Sequence, residues 1–240
     1  MKQLFVPAFF SIFVLTSCSY VTGERVRGNG TIKTATINEH GFQHIEVSSA
    51  IKVYVKQDST QSVKVETDEN LLEYVEVYLD RTTLIIRQKK GYNLKPTKSI
   101  KVYVSGPSFR RFEASGACDI YSENKLSGSD EVYIDLSGAS NVNMEINASK
   151  ISLDLSGASE VNLKGEAKDF TIQGSGASEI KCFDLMTENT SIDLSGASNA
   201  EVFASVKLDV EVSGAGSIKY KGNATVTKDI SGAGSVKKVE

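Results

Sequence analysis

Apolar and polar residues alternate with period two along most of the chain, but the alternation is organised differently in its two halves. Between Gly28 and Pro107 it comes in short separate runs, such as Ile45-Glu46-Val47, Ile51-Lys52-Val53-Tyr54-Val55, Val75-Glu76-Val77-Tyr78-Leu79 and Ile100-Lys101-Val102-Tyr103-Val104. Such runs predict strands buried on one face, with turns at Asp58-Ser59, Asp80-Arg81 and Gly91-Tyr92-Asn93. One segment, Asp68 to Tyr74, predicts a short helical turn with Asp68 as its cap. From Phe109 onward the alternation becomes regular. Apolar residues stand three and one positions before a recurring Ser-Gly-Ala, as in Ile134/Leu136 and Leu153/Leu155, and five and seven after its Ser, as in Val142/Met144 and Val161/Leu163.

The triplets begin at Ser115, Ser137, Ser156, Ser175, Ser195, Ser213 and Ser231, at intervals of 22, 19, 19, 20, 18 and 18 residues. A unit this short cannot bury its apolar side alone, so copies must stack. The pattern predicts an all-β protein: a parallel β-helix, or solenoid, over 109–240 with coils of 18–22 residues, preceded by an N-terminal β-strand region over 30–108. The structural corners fall on Gly116, Gly138, Gly157, Gly176, Gly196, Gly214 and Gly232, where a residue without Cβ permits a tight turn with positive φ. The Ala that follows is small enough to stack, and the serines in register can hydrogen-bond along the stack. A one-residue slip would turn every apolar pair outward, so register is strongly specified. Lys228, Lys237 and Lys238 predict a polar cap over the last, open edge.

The N-terminus changes the picture. Lys2 followed by the apolar run Leu4 to Leu15 predicts a signal peptide over 1–17. Leu15-Thr16-Ser17-Cys18 resembles a bacterial lipobox, which implies cleavage before Cys18, diacylglycerol on its sulfur and further acylation by chains such as palmitate. Buried acyl chains contribute about 0.8 kcal/mol per methylene, enough to hold a domain on a membrane. The segment 18–29 reads as a tether. The expectation is an exported, membrane-anchored lipoprotein, outer membrane in location, with the periplasmic or surface face left open.

Composition narrows the rest. A formal net charge of −3 without basic clusters offers no electrostatic footprint for nucleic acid. Beyond Cys18 the cysteines are Cys118 and Cys182. They fall in different repeat columns three coils apart, about 14 Å at strand spacing, beyond disulfide reach. Both read as buried thiols.

The order of motifs carries a resemblance. Gly28-Asn29-Gly30, then Phe42-Gln43-His44-Ile45-Glu46-Val47, Val53-Tyr54-Val55, Val63-Lys64-Val65-Glu66, Asn70-Leu71-Leu72 and Leu84-Ile85-Ile86 lead into the Ser-Gly-Ala array. In this the chain resembles the autotransporter-adhesin head domain family, also called the head GIN domain. The resemblance covers about Gly28 to Glu240. It implies an all-β fold with parallel β-helix character and a role in adhesion or envelope structure, with no catalytic residues to carry over.

Candidate chemistry is sparse. Two residues before each triplet stand Glu113, Asp135, Asp154, Gln173, Asp193, Glu211 and Asp229. Stacked at about 4.8 Å, the six acids form a candidate cation or ligand column, since Ca²⁺ accepts irregular oxygen shells. The alternative is a solvated face with lysine partners, and no metal site or cofactor is assigned. The triplet serines lack a base: the only histidines, His40 and His44, precede the array. Their four-residue spacing suits metal ligands on a helix, not in a strand region. Tyr54, Tyr78 and Tyr103 alternate with apolar positions and are candidate contacts for a glycan or an envelope protein partner. The expected function is that of a lipid-anchored adhesin-like or scaffolding module acting by non-catalytic surface binding. The alternative is a polysaccharide-acting β-helix hydrolase or lyase. Oligomeric state is left open.

Overall fold

The computed structural model describes residues 23–240, so the expected signal peptide and the expected lipidation site Cys18 lie outside the described residues. A parallel β-solenoid dominates it, with stacked coils of about seven turns. Each coil has a leading strand that runs into the triplet, a trailing strand that leaves it, and a third face. In the middle coils the third face and the next leading strand merge into long bent strands, Asn141–Gly157 and Glu160–Gly176. Register is strict: Gly116 aligns with Gly138, and Gly157, Gly176, Gly196, Gly214 and Gly232 follow one per rung.

The corner glycines do two things no other residue could. All seven have positive φ, from 85° at Gly138 to 128° at Gly214. A Cβ on Gly176 would also lie 2.2 Å from the carbonyl oxygen of Gly157 one rung below. That carbonyl accepts a hydrogen bond from Ala177 N at 2.8 Å, which is repeated along the column. The alanines themselves are exposed.

Inside, Phe112, Ile134, Leu153, Ile172, Ile192 and Val210 form one of the buried columns. Burying side chains of this size contributes about 1.5–3 kcal/mol each, and one hydrophobic cluster runs unbroken from Phe42 to Ile218. The cluster is continuous because the stack begins before the triplets do. His44–Ser49 pairs in parallel with Arg111–Gly116, and Ile51–Gln57 pairs in parallel with Asp119–Ser122, so residues 44–57 form a rung. Beneath it lies another, made of Thr83–Gln88 and Ile100–Gly106. Ser48-Ser49-Ala50 thus occupies the corner position, and Ser49 adopts the corner's left-handed backbone, φ 83°.

Antiparallel strands close the N-terminal end. Ser62–Asp68 crosses against Ile100–Gly106, Ile32–Ile37 against Ser62–Asp68, and Val75–Asp80 against Thr83–Gln88. The predicted helical turn is a 3-10 helix over Glu69–Tyr74, but Asp68 makes no side-chain cap. Its buried carboxylate instead accepts bonds from Gly30 N, Thr97 N and Thr97 Oγ1 at 2.7–2.9 Å, tying two loops together. Gly28 lets the chain pass, since a Cβ there would sit 2.3 Å from the Asp68 carboxyl. Burial alone would raise the Asp68 pKa; the Thr97 and Gly30 donors outweigh it and hold the group below its ordinary value of 3.8.

The tether expectation needs one correction. Glu24–Arg27 is a strand, paired in parallel with Tyr92–Lys95. The period-two pattern of that segment turns Val26 toward the core beside the buried Leu94. Cys118 and Cys182 are both free and buried. Burial pushes the Cys182 thiol up to about 12.

Candidate functional site

The leading face brings the acidic column together in full. Glu113 aligns with Asp135, Asp135 with Asp154, and Gln173, Asp193, Glu211 and Asp229 continue one per rung. Glu46 extends it by a rung below Glu113, an addition the triplet spacing could not reveal because Ser48-Ser49-Ala50 lacks the glycine. Arg111, one outward column away, neutralises the lower end: it pairs with Glu113 and lies 3.9 Å from Asp135. From Asp154 to Asp229 no member of the column is in an ion pair among the described residues. Burial, then Glu113 and Asp154, raise the Asp135 pKa. Burial and Arg111 lower that of His44. No group of three or more His, Cys, Asp or Glu is placed to hold a metal ion among the described residues.

The tyrosines are arranged differently from what alternation alone suggests. Tyr103, Tyr54 and Tyr121 come from three successive rungs and stack on one another, centroids 5.2 and 5.3 Å apart. Their shared faces are therefore occupied by each other. Arg87 covers Tyr78 at 5.3 Å. Only the faces turned away from Tyr54, on Tyr103 and Tyr121, and the face of Tyr78 opposite Arg87 are left for outside contacts.

A further polar ladder lies inside the corner. Ser140, Ser159, Ser178 and Ser198, which follow four of the seven triplet alanines, are buried, and the hydroxyls of Ser178 and Ser198 accept bonds from Ser159 N and Ser178 N at 3.3 and 3.1 Å. The triplet serines are looser: Ser137 Oγ and Ser195 Oγ reach carbonyls of the rung below at 3.4 Å.

The triplet pattern did not single out one further concavity. Where the third face bends into the leading face, Ser129, Ala148, Ala167 and Thr187 align rung on rung. Being small, they leave an open groove of about 640 Å³ along the stack. Its rims carry Asp130, Asn147, Glu166, Lys168, Met186 and Glu188. Thr187 and Thr190 meet hydroxyl to hydroxyl at 2.7 Å beneath it, and Thr190 also donates to Phe203 O. The signal was present: each floor residue stands eight positions before a triplet serine. The arrangement is shallow, repeated and polar at the edges, suited to gripping an extended chain.

Several solved structures have this fold. A putative adhesin from Bacteroides fragilis superposes with a TM-score of 0.85 at 22% identity, covering 89% of this chain and all of its own. A putative lipid binding protein from Parabacteroides distasonis gives 0.75 at 24% identity, covering 90% of this chain and all of its own. A putative adhesin from Parabacteroides merdae gives 0.68 at 23% identity, covering 91% and 100%. No curated protein matches the chain. The family model described as "Putative auto-transporter adhesin, head GIN domain" matches residues 41–224, which begins with the first parallel rung, and the chain belongs to that family.

Proposed function

We propose that this protein is a lipid-anchored module of the cell envelope that binds an extended ligand along its solenoid without chemistry. The observation that carries the reading is the groove floored by Ser129, Ala148, Ala167 and Thr187, small residues in register over successive rungs. A ligand with its own short repeat, a glycan strand or an extended segment of an envelope protein, meets a small floor residue again at each rung, while the rims differ from Asp130 and Asn147 to Glu166, Lys168, Met186 and Glu188. Affinity then accumulates by repetition rather than in a deep pocket. Adhesins among its structural relatives agree with this role, and one relative is described as lipid binding. Anchoring rests on Cys18 and its lipobox.

Two measurements test it. Intact mass of membrane-purified protein carries the acyl groups at Cys18, and Cys18→Ala abolishes them. A glycan array and cross-linking in envelopes then yield a ligand whose retention is lost in Ala148→Trp, which fills the groove while leaving the melting temperature unchanged. Retention that ignores the groove refutes the binding site.

The enzymatic alternative has one observation in its favour: Glu113, Asp135 and Asp154 lie together with Arg111 beside them. Paired carboxylates with a supporting cation suit glycan cleavage. Release of reducing or unsaturated ends from a polysaccharide panel, abolished by Asp135→Asn, would establish it.

A further inference from the structure

At the N-terminal end of the stack the chain enters the fold through a small sheet set apart from the coils. Glu24–Arg27 and Tyr92–Lys95 form a two-stranded sheet of their own. Val26 and Leu94 face the core, so Arg25, Arg27 and Lys95 share the outer side. Lys89 and Lys90 flank one end and Lys98 the other. In residues 23–28 and 89–98 there are six Lys and Arg against one carboxylate, Glu24. Glu24 pairs in register with Tyr92, on the Val26 side of the sheet. All six cations are exposed, and among the described residues none is in an ion pair.

The rest of the molecule has the opposite charge. Residues 23–106 hold 13 Lys and Arg against 10 Asp and Glu, and residues 107–240 hold 13 against 20. The formal charges are +3 and −7; the negative excess lies in the coils, and the last strands are again basic, with Lys219, Lys221, Lys228, Lys237 and Lys238 against Asp229 and Glu240. Cys18 precedes Gly23 by five residues, about 17 Å at full extension. An anchor at Cys18 therefore holds the basic sheet close to the lipid surface, within about two Debye lengths at physiological salt.

We propose that the face formed by Arg25, Arg27 and Lys95, with Lys89, Lys90 and Lys98 around it, docks on the anionic phosphates of the membrane surface and stands the solenoid end-on, acidic coils outward. This rests on the lipid-anchor reading. The acyl chains supply attachment and the cations supply orientation, the two-signal arrangement that stable anchoring uses. The acidic leading face is repelled by the same surface, which disfavours lying flat.

The test uses the full lipidated chain in vesicles of phosphatidylcholine alone or with about 30 mol % phosphatidylglycerol, at which negative surface potential attracts basic segments. Lysine acylation is read residue by residue by mass spectrometry. Lys89, Lys90, Lys95 and Lys98 are expected to react about fivefold more slowly on phosphatidylglycerol vesicles, with the protection lost at about 0.5 M salt. Lys237 and Lys238 at the far end keep their rate. Arg27→Glu with Lys95→Glu removes the protection without changing partition into phosphatidylcholine. Partition into both vesicles without protection overturns the docking face and leaves the anchor standing; no partition into either overturns the anchor. Protection equal on both vesicles and rising with protein concentration places a second copy on the face and overturns the proposal.

Discussion

The two ends of the stack solve the same problem in opposite ways. A parallel rung presents unpaired backbone groups to whatever comes next, so each end of a solenoid is a template for further pairing. At the N-terminal end antiparallel strands cross the first rung, and buried Asp68 straps two loops beside them. At the C-terminal end Thr225–Gly232 and Ser235–Lys238 each pair with one neighbouring strand among the described residues. There the interior columns themselves change. Val210 is followed by Lys228, and Tyr220 by Lys238, both exposed. One end is closed by fold, the other by charge placed where the next rung would need a hydrocarbon.

The sharpest way to break this comparison is to disturb the column both ends share. Gly176→Ala puts a Cβ 2.2 Å from the Gly157 carbonyl at φ 114°, which costs about 3 kcal/mol or more in chemical denaturation. The same change at Gly232, in the last coil, costs about 1 kcal/mol, because a terminal rung frays instead of transmitting strain. Asp68→Ala tests the closed end. It removes three accepted bonds and leaves buried donors, for a loss of about 3 kcal/mol. Because the folded pKa lies below 3.8, the carboxylate's stabilisation is fully present above that value and is lost as pH falls through the folded value. Wild-type acid melts therefore lose stability below about pH 4, and Asp68→Ala melts fall less steeply there, since Asp58, Glu131 and Glu145 are also held below their ordinary values.

Much of the middle was legible because one residue type was forced at one spacing. Only glycine fits the corner, so its recurrence revealed the rungs, and the apolar pairs around it revealed the interior. Where the corner's carbonyl column ends, the constraint ends too. Ser49 has no rung-paired corner beneath it, since Thr83–Gln88 pairs only as far as Val47, so a Cβ is tolerated and the first triplet-like corner was invisible. Strand pairing out of chain order hid the lower rungs, because residues 44–57 stack between 83–106 and 111–122. The acidic column followed directly from register. The tyrosine stack did not show in the sequence because its rungs pair out of chain order, and the groove did not because its register column of small residues becomes a concavity only where the strands bend.

The open end can be sharpened by restoring the missing hydrocarbon. Lys228→Leu continues the column of Phe112 to Val210 and removes a charge from the edge. The expected result is larger, concentration-dependent assemblies than the wild type forms in light scattering, with Lys237→Glu, outside the interior columns, as the silent control. A smaller effect tests the hidden corner. Ser49→Gly relieves a left-handed backbone that costs an L-residue about 1–2 kcal/mol, offset by glycine's greater freedom in the unfolded chain. The net gain should be about 0.5–1 kcal/mol in urea unfolding. No gain would mean that Ser49 sits at its corner without strain, where a Cβ on any of the seven glycines above it would be strained.

The smallest effect concerns the one break in the acidic column. Gln173 stands between Asp154 and Asp193, so the acids run in two groups. Gln173→Asp would join them into an unbroken column from Glu46 to Asp229. Each new neighbour lies about 4.8 Å away and repels by about 1 kcal/mol before screening. Exposure and salt reduce this, so a loss of about 0.5 kcal/mol at low ionic strength is expected, fading at about 1 M salt. The lower end should respond differently, since Arg111 already offsets Glu113 there: Arg111→Gln exposes the repulsion that Gln173→Asp creates. Adding millimolar calcium then separates two meanings of the column. Recovery of the variant's melting temperature by calcium, but not by equal ionic strength of sodium, marks a face that gathers divalent cations. Equal recovery by both marks one that is merely screened, its carboxylates serving solubility and outward orientation.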